Sequence, residues 1–527
     1  MISMEFVKNF PAISILACMF CGIISSGLNG KKARALNLVL TVTVGILSMF
    51  TLIYSVNLGE SVVYVMGKFP APWGNEIRFG VLEAFMALFF SIIMLLSILG
   101  GRHKIDHEVA EQKQFLYYVL LDLLFSSLLA LVYTNDLFTA YVFVEINTIS
   151  ACGLIMIREN GRTIEAAVRY MIMSLLGSGL FLISLCMLYD LTGHLLMSNI
   201  KESVAAMVST GEYSIPLTVT IALMVVGLAI KSALFPFHSW LPDAYGYSTV
   251  TSAAVLSSLV SKGYIFLLIK IFYRVIGFDV ILHSKILNVL FVFGLIGMIS
   301  GSVSAIREKD IRRMIAFSSI AQIGYIYMGF GMGTTAGIVA SIFHILSHAA
   351  TKSMLFVSAI GLTDVSHGSR RFIDLTGSAH RNRIAGAGFL VGSLSMVGIP
   401  LFSGFISKLQ FMDAAASLSY VKMFPALIVL GISTILNAIY FMKTVLRIYT
   451  PAEKMGVNRA QADVSTGSTG SVRIGINGII EEKDKIHFKE QKLYGITIIF
   501  FIALNVILGL CSNYILDLIR LGLEMFD

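Results

Sequence analysis

The chain has 527 residues, of which 56% are hydrophobic and only 13% charged, with a mean hydropathy of +0.83. A soluble domain carries about a quarter of its residues as charges, so this composition excludes a soluble globular protein and places the bulk of the chain in lipid. The net charge of +8 comes from short basic loops between apolar runs, a pattern that points away from nucleic-acid binding.

In chain order, apolar runs predict fourteen membrane spans, near 12–28, 35–57, 79–99, 115–133, 136–157, 165–190, 216–245, 249–274, 286–305, 311–331, 334–361, 385–419, 424–449 and 490–516. Most reach the ~18–20 residues that a helix needs to cross ~30 Å of hydrocarbon. The fold class expected is an all-α polytopic membrane protein. No cleavable signal pattern precedes the first span, where Glu5 and Lys8 flank the apolar run. Cys18, Cys21, Cys152, Cys186 and Cys511 all fall within predicted spans, where they act as small hydrophobes. Cys18 and Cys21 form a C-x-x-C without a second pair, so no metal site is expected.

Basic residues alternate between loops: Lys31, Lys32 and Arg34; Arg158, Arg162 and Arg169; Arg307, Lys309, Arg312 and Arg313; Arg370, Arg371, Arg381 and Arg383. The positive-inside rule puts these loops in the cytoplasm and both termini on the outer side of the cell membrane. Residues 451–489 form the one long polar insertion, too rich in Gly, Ser, Thr and charge to bury a core, and they read as a cytoplasmic loop.

The seventh and twelfth spans are too long for simple crossings. Pro236 and Pro242 interrupt the first and Pro400 the second. The two lie five spans apart and therefore run in opposite directions. Inverted repeats with one broken helix each are a transporter pattern, because freed backbone at membrane depth is tolerated where it lines a cavity.

Ionisable residues at membrane depth cost at least about 2.5–3.5 kcal/mol on insertion scales, so each needs a reason. Glu145 is central in YVFVEINTISACGLI, Lys231 precedes the first proline break, Lys262 is central in VLSSLVSKGYIFLLI, and Lys408 follows the second break. His344, His348 and Lys352 recur every four residues and share one helix face. A single Lys–Glu pair could serve only to hold two helices together, but one glutamate cannot neutralise three lysines and a His–His–Lys stripe. Burial disfavours a charged lysine and a nearby carboxylate favours it, so a lysine whose glutamate moves becomes a switchable proton site. His238 and Asp243 follow the first break; they read equally as a proton mouth or as a polar cap on an exposed helix end.

The segments KSALFPFHSWLPDAY, SKGYIFLLIKI, KDIRRMIAFSSIAQIGY, FHILSHAATKSMLF and GIPLFSGFISKL resemble successive signatures of the antiporter-like subunits. These are shared by respiratory complex I, Mrp-type Na⁺/H⁺ antiporters and membrane-bound hydrogenases. The resemblance runs from about the fourth to the thirteenth span. It implies N-terminal spans over 1–114, one five-helix repeat over 115–274, an inverted second over 286–449, a polar loop over 450–489 and a last helix within 490–527. It also implies a proton path through Glu145, Lys231, Lys262, His344, His348 and Lys408, with His238, Asp243 and Lys352 secondary. Lysine at 408, where some branches carry glutamate, leans toward the N-type subunit of complex I or the D-type subunit of Mrp antiporters. Two departures stand out: GYSTVTSAAV lacks the Ala-Pro element usual before the eighth helix, and no long lateral helix follows the fourteenth.

The function expected is proton translocation within a multisubunit membrane complex, a complex I-like oxidoreductase or membrane-bound hydrogenase, with an Mrp-type Na⁺/H⁺ antiporter subunit and a non-conducting scaffold as alternatives. Expected partners are other integral subunits, a hydrophilic redox arm, H⁺ and possibly Na⁺, and no nucleic acid. With no Cys cluster for Fe–S, no Rossmann fingerprint and no P-loop, no cofactor is expected.

Overall fold

The computed structural model describes residues 4–69, 74–451 and 492–526; apart from Pro451, the polar insertion lies outside the described residues. The helices of seven residues or more are, in order, α1 (Phe10–Ser26), α2 (Gly30–Leu58), α3 (Val81–Glu108), α4 (Gln114–Tyr133), α5 (Leu137–Met156), α6 (Gly161–Thr192), α7 (Met197–Thr210), α8 (Ser214–Lys231) and α9 (Leu241–Tyr247). There follow α10 (Val250–Val275), α11 (Ile286–Arg307), α12 (Ile311–Gly331), α13 (Thr335–Asp364), α14 (Arg383–Val397), α15 (Ser403–Ala416), α16 (Tyr420–Tyr449), α17 (Lys492–Leu510) and α18 (Ser512–Glu524). Among the described residues, twelve helices are long and apolar enough to cross a membrane. The shorter apolar helices α1 and α14 occupy two further predicted spans. The protein is an all-α polytopic membrane protein.

Helix starts follow local chemistry. Asn29, Asp136, Asn160, Asp310, Thr334 and Asn382 each accept a hydrogen bond from a backbone N–H of the first turn. Both expected breaks are present. Residues 232–240, around Pro236, separate α8 from α9, and residues 398–402, around Pro400, separate α14 from α15. α10, α12 and α13 form the buried centre, while α2, α6, α16 and α17 present apolar side chains outward.

Three features were not expected. α7 forms in the loop after the sixth span because Met197, Ile200 and Val204 fall on one face and bury against the end of α10. Val62–Val65 and Glu76–Phe79 pair as a short antiparallel hairpin. The last predicted span breaks at Cys511, which caps the amphipathic α18 and is exposed, so this cysteine is not within a helix as expected.

The basic loops gather at one end of the bundle. Arg34 pairs with Asp106 at 2.8 Å, Arg158 with Glu108 at 3.7 Å, Arg169 with Asp243 at 3.0 Å and Arg370 with Asp310 at 3.3 Å. Thr249 caps α10 without the Ala-Pro element, and Arg312 Nη2 donates to the carbonyls of Tyr245 and Ser248 just before it.

α6 and α8 meet at Gly177 and Gly227, where an added Cβ would come within 2.8 Å and 2.7 Å of the opposite carbonyl oxygen. Such small-residue contacts let membrane helices approach backbone to backbone. Gly227→Leu is therefore expected to cost about 1–3 kcal/mol by overpacking, read as a lower melting temperature in mild detergent. Gly431→Leu, at a position facing open space, should leave it unchanged.

Candidate functional site

Lys231 is the last residue of α8, held where the break begins. Its Nζ donates to Thr148 Oγ1 on α5 and lies 5.4 Å from the centre of the Tyr264 ring on α10. The Tyr264 hydroxyl donates to Asn147 Oδ1 at 2.8 Å, and Asn147 Nδ2 donates to Ser127 Oγ at 2.8 Å. Glu145 lies on α5 three residues before Thr148, hence on the same face. No ion pair joins it to Lys231, and its buried Oε1 has no hydrogen-bond partner. The expected partners are thus neighbours held apart, with the ammonium resting on a hydroxyl less than one turn from the carboxylate.

Lys262 is wholly buried on α10. Its Nζ donates to the Ser257 carbonyl and to Ser261 Oγ at 3.1 Å. A π-helical turn over Leu256–Val260 widens the helix just before it and leaves that carbonyl within reach.

On α13, His344 and His348 stack with ring centres 5.8 Å apart, and His344 Nδ1 lies 2.7 Å from Ser407 Oγ on α15. His344 Nε2 and both nitrogens of His348 are buried without partners. Lys352 shares the stripe by spacing but turns to α12, donating to Ser318 Oγ and to the Ile315 carbonyl at 2.8 Å. Lys408 on α15 reaches back across the second break to the Val397 carbonyl at 2.7 Å, at the C-terminal end of α14 where a cation is favoured. The Tyr325 ring lies between, stacked on His344 at 5.4 Å and 5.9 Å from Lys408 Nζ.

Lys231, Lys262, Lys352 and Lys408 are all buried, and among the described residues none has a carboxylate within 4.0 Å. Carbonyl and hydroxyl oxygens accept an N–H from an amine as well as from an ammonium. A carboxylate would hold the charged form in place; these neutral acceptors serve both protonation states.

Asp243 accepts from Arg169 Nη1 at 3.0 Å and from Arg313 Nη1, so it braces the basic end. His238 stacks on Phe235 at 5.4 Å and leaves a buried Nδ1 without a partner.

Sequence reasoning passed over four charges at membrane depth. Glu83 and Arg274 form a buried ion pair at 2.5 Å, with the guanidinium 4.0 Å from the centre of the Phe526 ring. Lys270 donates to the carbonyls of Leu131, Val132 and Thr134, closing the end of α4. Asp122 accepts from Asn37 Nδ2 at 2.6 Å and Ser25 Oγ at 3.2 Å. A charge inside VLEAFMALFF, LLDLLF or LLIKIFYRV was the available signal. Removing one partner of a buried pair strands the other, so Arg274→Met should destabilise the chain by about 3–5 kcal/mol, with Glu83→Leu/Arg274→Met recovering much of it. Thermal melting of the detergent-extracted variants measures both.

Residues 134–435 match the family model described as NADH:quinone oxidoreductase/Mrp antiporter, TM. The chain is 32% identical over 418 residues to NADH-quinone oxidoreductase subunit N of Desulforudis audaxviator, covering 78% of this chain and 80% of that one. Its fold is similar to a subunit of the membrane-bound sulfane sulfur reductase, an archaeal respiratory membrane complex, with a TM-score of 0.80 at 22% identity over 99% of this chain and 98% of that one. It is equally similar to a chain of the Mrp complex from Dietzia sp. DQ12-45-1b, with a TM-score of 0.81 at 24% identity over 100% and 98%. With Glu145, all four lysines and both histidines inside the matched segment, the chain belongs to the NADH:quinone oxidoreductase/Mrp antiporter transmembrane family.

Proposed function

We propose that the chain conducts protons as one integral subunit of a multisubunit membrane complex. The observation that carries this reading is Lys231, which rests on Thr148 while Glu145, three residues away on the same helix, has an unpartnered buried oxygen. A side-chain swing exchanges a neutral acceptor for a charged one and so changes how tightly the lysine holds its proton. From Lys231 the route runs to Lys262, then by intervening water to His348 and His344, and leaves by Lys408. His238, with its free ring nitrogen, serves the mouth near the first break, and Lys352 flanks the route.

The reading takes 115–274 and 286–449 as inverted repeats, each contributing one broken helix. It places the basic end in the cytoplasm and the termini outside, as the basic loops favour. Moving a proton against a membrane potential costs ~2.3 kcal/mol per 100 mV, so a driving partner is required. Similarity to NADH-quinone oxidoreductase subunit N and to a respiratory complex favours a redox partner with a hydrophilic arm.

Inverted membrane vesicles carrying the assembled complex test the route. Lys231→Ala and Lys262→Ala should each slow acidification of the vesicle interior by about tenfold or more, as loss of a positioned proton carrier does, with the amount of assembled complex unchanged. Full acidification by assembled variants would leave a scaffold. Driving the vesicles first with an electron donor and then with a sodium gradient separates the redox-linked role from the antiporter role.

A further inference from the structure

Apart from the lysine route, the basic end of the bundle carries a second concentration of charge. A cavity of about 680 Å³ opens there between α11, α16 and the segment before α14. Arg307, Lys309, Arg371, Lys443 and Arg447 line it. Among the described residues none of these five has a carboxylate within 4.0 Å. Their neighbours at the same end differ: Arg34, Arg158, Arg169, Arg313 and Arg370 are each ion-paired. Among the described residues one acidic side chain lies on the cavity wall, and it is already engaged. Glu308 Oε2 accepts from Arg313 Nε at 3.0 Å, and its Oε1 accepts from the backbone N–H of Lys309 at 2.8 Å.

The rim is built rather than merely crowded. The Phe372 N–H donates to the Lys309 carbonyl at 3.1 Å and the Ile311 N–H to the Arg370 carbonyl at 3.0 Å, so 309–311 and 370–372 lie paired and hold Lys309 and Arg371 on one edge. The Gly377 N–H donates to the Arg447 carbonyl at 3.3 Å and ties the opposite edge. From Lys443 and Arg447 a second concavity of about 420 Å³ runs along α16 past Ile439, Met442 and Leu446. Ile439 and Leu446 are 46% and 69% exposed on this apolar outer face.

We propose that this cavity and groove bind an anionic glycerophospholipid, its phosphate among the five cations and one acyl chain along α16. Charge selects the headgroup, since five cations with no ion-pair partner among the described residues gather where a phosphodiester can accept several N–H bonds at once. The adjoining apolar groove selects a lipid over free phosphate. Positive loop charge alone would leave solvated cations spread over the end of the bundle, not a walled cavity joined to an apolar groove. The proposal does not depend on the proton route, and its test does not use transport.

The test uses the chain extracted in mild detergent with its accompanying subunits, stripped of lipid and loaded with tetraoleoyl cardiolipin, dioleoylphosphatidylglycerol or dioleoylphosphatidylcholine. Native mass spectrometry reads retention. The anionic lipids should be retained about tenfold or more over phosphatidylcholine, and Lys443→Gln/Arg447→Gln should remove that preference. Lys443→Arg/Arg447→Lys should keep it. Equal retention of all three lipids, retention unchanged in the glutamine variant, or displacement by millimolar inorganic phosphate would overturn the proposal. Should the double glutamine variant fail to melt cooperatively, Arg371→Gln on the opposite rim supplies the same comparison. A retained acidic polypeptide that blocks lipid loading would also overturn it.

Discussion

A buried amine at membrane depth needs oxygen acceptors from the protein around it, and what kind of oxygen it finds sets what it can do. Lys231, Lys262, Lys352 and Lys408 are satisfied by hydroxyl and carbonyl groups. Arg274 instead meets a carboxylate at 2.5 Å. A buried guanidinium stays charged in any ordinary environment, and pairing it with Glu83 makes a fixed clamp between α3 and the end of α10. An amine on neutral acceptors has no such lock. The same low dielectric therefore produces two kinds of charged site in one molecule, one that holds helices and one suited to passing a proton.

The broken helices supply part of that oxygen. A proline removes a backbone donor and interrupts the helical ladder, which frees carbonyls at a depth where they must be used. In the second break the freed Val397 carbonyl is taken by Lys408, which lies on the far side of the interruption. In the first, Lys231 sits before the interruption and reaches sideways to α5. The two lysines are thus not equivalent in the structure. One stands next to a glutamate that it does not touch; the other closes the end of a helix and has the Tyr325 ring beside it. α10 adds a third device without proline, where a π-helical turn exposes the Ser257 carbonyl to Lys262.

Much of this was legible in the amino-acid order because the cost of a charge in lipid is large and shows in the sequence as an interrupted apolar run. Glu145, Lys231, Lys262, His344, His348, Lys352 and Lys408 all lie buried or half-buried in helices, and the breaks fall at Pro236 and Pro400, while Pro242, expected to interrupt the span, sits in the first turn of α9. What did not show was direction around the helix. Spacing by four puts Lys352 on the histidine stripe, yet its long chain reaches α12 while the His344 imidazole meets α15. Nor did proximity show: Asp243 reads equally as a mouth residue or a polar cap, and its pairing with Arg169 and Arg313 is not visible in the sequence. Short amphipathic pieces such as α7 and α18 fall below the length that a membrane criterion detects, although their buried faces repeat at helical spacing.

The distribution of ion pairs carries the argument one step further. Carboxylates at the basic end are spent on Arg34, Arg158, Arg169, Arg313 and Arg370, where they tie successive loops together. Among the described residues none pairs within 4.0 Å with the four lysines at membrane depth or with the five cations around the cavity beside α16, where Glu308 is taken by Arg313. Surface ion pairs contribute little each, about 0–1 kcal/mol, so their value here lies in fixing loop geometry. The cations that remain, with no ion-pair partner among the described residues, are those of the two proposed sites. On the proposed proton route Glu145 supplies the negative charge at depth by a side-chain swing; at the basic end the proposed lipid phosphate supplies it.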